Sequence, residues 1–409
     1  MKVRDSPLPR RALQSALGTI TERLARELAS PSPTEPLWSP LEWQLAQAVA
    51  AMHGVAPVLD GALAWAGPKG WREFLGAQRA HTRTRQQRID QLVGELELKA
   101  CADGIPIVAL KGVALHASGV YVAGERPMAD IDLLVASEHL DRAARWFPSL
   151  GYHASGRSWK HHSFDPNAGG RLARLGEHAD APIKIDLHCK IAERLPLDEW
   201  DFSALVFPQR AQPGINPYPS LTALFLHVLA HAAGTIVHRG IRLIQLLDIV
   251  RLASRLESRD WRELCEYRSA QGGPWWALPP LLLTARYFQG AIPSDVIARL
   301  ARECPWLLRH SSRRRTLSDV SYSHVAIDPI PSIVWTRSAG QMLRYVMSRI
   351  HPSDEQLSQL SLLARTEPWA SEARWFEQSQ LRRIADWATS RPARTETIQT
   401  VRAALGTRL

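Results

Sequence analysis

The sequence predicts an α+β protein: a small α/β unit with a mixed sheet, flanked by N-terminal helices and a large helical C-terminal region. Three observations predict it. Strand and helix signals alternate between residues 103 and 190. Before that span, and from about 191 onward, apolar residues recur at the three and four spacing of helices. Inside the alternating span, Asp130 and Asp132 stand one residue apart in the strand-forming run Met128-Ala129-Asp130-Ile131-Asp132-Leu133-Leu134-Val135. A chain of 409 residues can bury a substantial core and is expected to form two or three domains. The expected divisions are an N-terminal helical region at 1–102, the α/β domain at 103–190, a helical domain at 191–325 and a C-terminal helical region at 326–409.

In order, residues 9–29 read as an amphipathic helix, after which Pro31, Pro33, Pro36 and Pro40 break the chain. Helical patterns follow at about 41–66 and 71–102. The second carries Arg79, Arg83, Arg85 and Arg88 and is expected to pack across the α/β unit by Leu92, Leu96 and Leu98. Ile105 to Leu110 is a short apolar strand running into Lys111-Gly112 and a helix from Val113 to Ser118. After the two-aspartate strand, Ser137 reads as the N-cap of a helix reaching Leu150, and Gly151-Tyr152 opens another strand. Pro166, Asn167, Gly169, Gly170 and Gly176 mark 166–181 as a loop, and Ile183 to His188 alternates as a further strand.

Helices are then expected at 221–233, 241–256, 260–269, 275–289 and 296–308. Arg309 to Arg315 reads as a basic linker, which lacks the interleaved aromatic residues that stack nucleic-acid bases. Pro329 and Pro331 mark a break, and helices near 333–350, 354–364 and 370–404 finish the chain.

The chemistry concentrates in the α/β unit. Residues i and i+2 of a strand share a face, so Asp130 and Asp132 project together while Ile131 and Leu133 enter the core. Two neighbouring anions repel, and burying them unpaired is costly. A divalent cation removes that cost, and an oxygen-only ligand set suits Mg²⁺. Asp186 is a candidate third carboxylate, with His188 on its face. His188 is open to three uses: orienting Asp186, contacting nucleotide, or filling space. Lys111 and Gly112, at a strand-to-helix turn, are candidate phosphate contacts, the glycine for close approach and the lysine for charge. Arg126 is a candidate planar fork for a triphosphate.

These motifs, as an ordered set, resemble the DNA polymerase β-like nucleotidyltransferase superfamily. More closely, the chain is similar to an uncharacterised bacterial nucleotidyltransferase family. The matching positions are Leu110-Lys111-Gly112, Arg126, Asp130 to Val135, Gly151-Tyr152 and Asp186-Leu187-His188, followed by Leu226-His227, His231, Arg242 and Asp248. The resemblance covers about residues 80–255. It departs from the superfamily at the usual Gly-Ser turn, here Lys111-Gly112-Val113, and in a longer gap from Gly112 to Asp130.

The resemblance implies a polymerase β-like catalytic domain at 103–190 and an NTP-dependent, two-metal nucleotidyltransferase. Asp130 and Asp132 would bind both Mg²⁺ (or Mn²⁺) ions. Asp186 would bind the activating ion and help take the acceptor proton, and Lys111-Gly112 would hold phosphates. The partners implied are an NTP, ATP foremost, and a hydroxyl-bearing acceptor such as a small molecule, a peptide or a protein. Phosphoryl transfer at the same site and a non-catalytic RNA-binding or antitoxin-like module are the alternatives.

The remaining signals are weaker. A formal charge of +10 favours anionic partners, although an arginine-rich composition accounts for it as well. Cys101, Cys189, Cys265 and Cys304 show no zinc spacing and fit free thiols in a reducing cytoplasm. The first residues lack the apolar core of a signal peptide, and no run has the length of a membrane span, so a cytoplasmic protein is expected. His227 and His231 have a spacing that permits zinc, but no acidic partner lies between them, so a pair facing the α/β unit is expected. Arg242 and Asp248 are expected to form an ion pair or a cap, and His161-His162 to face either the nucleotide or solvent.

Overall fold

The structure is a computed structural model that describes residues 9–167, 175–353, 379–390 and 392–406. Its strands are β1 (Pro106–Ala109), β2 (Asp130–Val135), β3 (Tyr152–Arg157), β4 (His161–Pro166), β5 (Lys184–His188), β6 (Ala192–Arg194), β7 (Glu199–Asp201) and β8 (Gly214–Asn216). Six form one mixed sheet in the order β3-β4-β5-β2-β1-β8, and β6 and β7 form a separate hairpin. β2 runs parallel to β5, and β1 parallel to β8; the other pairs in the sheet are antiparallel. This is the α+β architecture with a mixed sheet that the sequence predicts.

Before the sheet lie α1 (Arg10–Ala29), α2 (Pro40–Met52), α3 (Ala56–Ala62) and α4 (Lys69–Ala102). Within it come α5 (Lys111–Ala117), α6 (Leu140–Ala144), α7 (Trp146–Ser149) and α8 (Ser203–Val206). After it come α9 (Leu221–Val237), α10 (Leu243–Ala253), α11 (Ser258–Glu266), α12 (Leu278–Tyr287), α13 (Ser294–Glu303), α14 (Trp306–Ser312) and α15 (Leu317–Val320). The described chain ends with α16 (Ala339–Ile350), α17 (Gln380–Ser390) and α18 (Thr395–Ala404). None of the described helices is long and apolar enough to cross a membrane.

Strand alternation divides the sheet between two apolar clusters. Ile131, Leu133 and Val135 of β2, with Ile107 of β1 and Ile185 and Leu187 of β5, pack on the face covered by α4, α6 and α7. Leu134 and Val108 point the other way, into the cluster built by α1, α2, α3 and the helices that follow the sheet. Phe147 of α7 stacks on Phe164 of β4 with ring centroids 4.0 Å apart. α4 covers its face with Ile89, Leu96 and Ala100. Leu98 is 72% exposed and turns away, because it lies off the stripe that Ile89, Leu96 and Ala100 define.

Several sequence expectations are corrected here. The helix expected from Ser137 to Leu150 is a 3₁₀ turn at Ser137–His139 followed by α6 and α7, and the Ser137 side chain caps nothing. Pro148 contributes to the break, since it offers no backbone N–H. The span from 191 is not all helical: β6, β7 and β8 fall within it, and β8 completes the main sheet. The basic stretch is a linker only in its second half: Arg309 to Ser312 close α14, with Nη1 of Arg309 donating to the Ala301 carbonyl, and Arg313 to Arg315 connect α14 to α15. The helix expected near 354–364, residues 370–378 of the last helix, and part of the 166–181 loop lie outside the described residues.

His53 ties the helices before and after the sheet together. Its Nδ1 accepts the backbone N–H of Leu243 at 3.0 Å, so Nε2 carries the proton that faces Oγ of Ser323 at 3.0 Å. Ser323 in turn lies 2.6 Å from Oγ1 of Thr21. Burial, with Arg242 nearby, pushes the imidazole down to about 3. The folded state therefore holds His53 neutral, while the unfolded chain binds a proton below its ordinary value of about 6.5. Stability linked to His53 is complete above that value and is lost as pH falls toward 3.

Two outcomes follow. In urea denaturation, Leu133→Ala costs about 2–5 kcal/mol, the scale for a buried leucine. Leu98→Ala stays within about 0.5 kcal/mol, and equal losses would contradict the packing of α4. For His53→Gln, the fall in stability between pH 6 and pH 4 is shallower than in the parent by about 1.4 kcal/mol per pH unit. An unchanged slope would show that His53 is not held neutral.

Candidate metal and nucleotide site

The parallel pairing of β2 and β5 sets Asp132 directly opposite Asp186, and Asp130 opposite Lys184. These side chains lie on the sheet face away from α4, on the same side as Leu134. An oxygen from each of Asp130, Asp132 and Asp186 lies within 4.8 Å of the others. Asp132 and Asp186 are buried, and Asp130 is half-buried. Three carboxylates this close form a hard, oxygen-only donor set that fits a divalent cation.

Polar neighbours hold Asp132 and Asp186. Nζ of Lys111 lies 3.1 Å from Oδ2 of Asp132, and Nε2 of His188 lies 2.8 Å from its Oδ1. Oγ of Ser163 donates to Oδ1 of Asp186 at 2.6 Å, and Nζ of Lys184 lies 3.5 Å from the same oxygen. The charges divide unequally. Burial and the adjacent Asp132 push Asp130 up to about 6, against the pull of Lys111. Burial also works against a charged Asp132, yet Lys111 and His188 outweigh it and hold its carboxyl well below the usual range. Burial opposes the Lys111 charge, but Asp132 and Asp130 overcome it and raise the ammonium above its ordinary value. The cluster keeps residual repulsion at Asp130, which is what a cation would relieve.

The turn before α5 is shaped for close approach. Lys111 adopts φ 43°, a left-handed conformation that non-glycine residues seldom take and that concentrates at functional sites. A Cβ on Gly112 would lie 2.8 Å from Nη1 of Arg126 and 2.9 Å from the Met128 side chain, so a larger residue would push those side chains away from the turn.

Arg126 reaches this turn while its fork is held elsewhere. Its Nε and Nη2 donate to the two oxygens of Asp248 at 2.8 and 2.9 Å, and the Tyr121 hydroxyl donates to Asp248 at 2.6 Å. The expected Arg242–Asp248 ion pair is thus replaced, while Arg242 stands at the N-cap of α10 with its backbone N–H donating to Oε1 of Gln245 at 2.8 Å. Asp248, on α10, turns toward the loop before β2, and the Arg242 guanidinium lies over the Tyr322 ring instead.

His227 and His231 face the α/β unit as expected, and both feel the charges of Lys111 and Asp132. Nδ1 of His227 lies 2.7 Å from the Tyr218 hydroxyl, and Nδ1 of His231 lies 3.5 Å from Oε1 of Glu193. His161 is on β4, its ring 5.0 Å from that of His188, which places it on the aspartate side. His162, its neighbour on the strand, takes the opposite face by alternation.

Four contributors were not singled out from the sequence. Arg85 of α4 is buried and donates to the carbonyls of Met128, Ala129 and Ala181, the segments that lead into β2 and β5. It thereby fixes the mutual register of the aspartates. Ser163 and Lys184 sit on the aspartate face at positions that strand alternation makes readable. Glu193 enters from β6, a strand too short for any periodic signal.

A model of an uncharacterised nucleotidyltransferase family matches residues 39–288. No curated protein and no solved structure matches the chain. The family match spans more than half of the 409 residues and contains the whole aspartate cluster, the Lys111-Gly112 turn and α9. The chain therefore belongs to this uncharacterised nucleotidyltransferase family.

Proposed function

We propose that the protein transfers an NMP group from an NTP, ATP foremost, to a hydroxyl-bearing acceptor and releases pyrophosphate. One observation carries this reading: Asp132 and Asp186 stand in register on parallel strands, with Asp130 two residues before Asp132 on the same face. On this reading Asp130, Asp132 and Asp186 hold Mg²⁺ or Mn²⁺. When bound, such ions neutralise triphosphate charge and make the acceptor hydroxyl easier to deprotonate.

The other residues have roles that follow from their places. Lys111 exchanges its contact with Asp132 for the triphosphate, and Gly112, whose missing side chain lets Arg126 and Met128 pack against the turn, offers its backbone to the phosphates. Arg126, fixed by Asp248, keeps Nη1 beside that turn and adds positive charge to it. His188 orients Asp132 and borders the nucleotide. Asp186, on the separate strand β5, belongs to the acceptor side.

Incubation with α-labelled and γ-labelled ATP separates this reading from phosphoryl transfer at the same site. Nucleotidyl transfer puts the α-label on the acceptor and the γ-label in pyrophosphate; a γ-labelled product would replace this reading with a kinase.

Two variants test the division of roles. Lys111→Met weakens nucleotide binding in calorimetry by on the order of 1.5–3 kcal/mol, the scale of one charge-assisted contact. Affinity for Mn²⁺ alone does not fall, because the variant removes a competitor for Asp132. Unchanged nucleotide affinity would show that Lys111 does not touch phosphate. Asp186→Asn retains Mg²⁺–nucleotide binding within a few-fold and loses roughly 10²–10⁴ in turnover, while Asp130→Asn loses both. Normal turnover in Asp186→Asn would move the third carboxylate elsewhere.

A further inference from the structure

Asp132 and Asp186, the two carboxylates that face each other across the strands, are poorly placed to receive the acceptor proton. Oδ1 of Asp186 already accepts the Ser163 hydroxyl and lies near Lys184, which leaves its other oxygen for an ion. Both oxygens of Asp132 are engaged, by Lys111 and His188. On the reading above Asp130 is committed to the cations as well, and a separate proton acceptor is available on α9, where His231 feels the charges of Lys111 and Asp132.

His231 has the form of one. Its Nδ1 faces Oε1 of Glu193 at 3.5 Å, a neighbour that favours the tautomer with the ring proton on Nδ1 and the lone pair on Nε2. Among the described residues Nε2 has no partner, and 33% of the side chain is exposed. The seat for Glu193 is built into the helix. A Cβ on Gly234, three residues beyond His231, would collide with the Glu193 carboxylate. A glycine in the middle of a helix weakens it, so this one serves the close approach.

We infer that Glu193 and His231 form the acceptor-side proton acceptor, in which the exposed edge of His231 receives the hydroxyl proton of an alcohol. This rests on the nucleotidyl-transfer reading above. The hydroxyl proton passes to Nε2, and the freed oxygen pair forms the bond to the α-phosphorus. The bond from that phosphorus to the α–β bridging oxygen breaks, and pyrophosphate leaves with the electron pair. Glu193 stabilises the imidazolium.

The charged groups around His231 are Glu193 on β6, Lys111 on α5, Asp132 on β2 and His227 on its own helix; Lys160 and His238 face Glu193. Burial, then Lys111, lowers the imidazole below its ordinary value, with Glu193 and Asp132 opposing. The ring is neutral near pH 7, the form a base requires.

The test uses the full chain with His231→Asn, Glu193→Gln and Gly234→Ala, each first checked for parental stability in urea. Calorimetry with Mg²⁺ and α,β-methylene-ATP is expected to show affinities within threefold of the parent. If the parent itself does not bind, the underlying nucleotidyl-transfer reading fails rather than this inference.

Pyrophosphate release from MgATP is then followed with water or glycerol as surrogate acceptor. His231→Asn loses roughly 10²–10⁴ in rate. Glu193→Gln and Gly234→Ala lose less, and both move the acidic limb of the pH profile downward. Independently of turnover, nitrogen NMR of the parent shows His231 protonated at Nδ1 and free at Nε2, a preference that both variants erase. A rate within twofold of the parent in His231→Asn overturns the inference. So does an Nε2-protonated ring in the parent, or a parent that binds the analogue yet releases no pyrophosphate.

Discussion

Three carboxylates crowded on one face of a sheet are the constraint to which the rest of the molecule answers. In-register pairing of β2 and β5 puts Asp132 and Asp186 side by side, with Asp130 on the same face. Such a cluster opposes folding unless every charge has a partner. Lys111 and His188 partner Asp132, and Lys184 and Ser163 partner Asp186, which leaves the residual repulsion on Asp130. A purely structural role would be served better by apolar residues of similar size. The cluster makes sense as a site that exchanges these contacts for a cation and a polyanion.

The fold separates support from chemistry by strand alternation. One face of the sheet is apolar and rests on α4, α6 and α7. The other carries the aspartates and meets α9 and α10, so the helices after the sheet form one wall of the site. Arg85 secures the first face to the strand entries, and the Arg126–Asp248 pair secures the second. Both are largely buried charged groups, so each contributes mainly by fixing geometry rather than by net stability.

Much of this was legible in the sequence. Asp130, Asp132 and Asp186 sit in strands whose alternation places them on one face, and the structure brings them together. The inward turn of His227 and His231 followed from their place on an apolar helix. The rest was hidden for physical reasons. β8 is three residues long and is defined by pairing with β1, not by any pattern of its own. Leu98 looked equivalent to Leu96, but helical phase separates them. Asp248 finds Arg126 from 122 positions away, where local reasoning offered the nearer Arg242. Glu193 has no sequence signal; only the empty space at Gly234 reveals its seat.

The central claim is that the aspartate cluster is a cation-dependent nucleotide site. Calorimetric titration of the full chain with ATP, in Mg²⁺ and in EDTA, tests it most directly, with Asp132→Asn measured alongside. The account predicts binding in Mg²⁺ that disappears both in EDTA and in the variant. Equal affinity with and without the cation would contradict it.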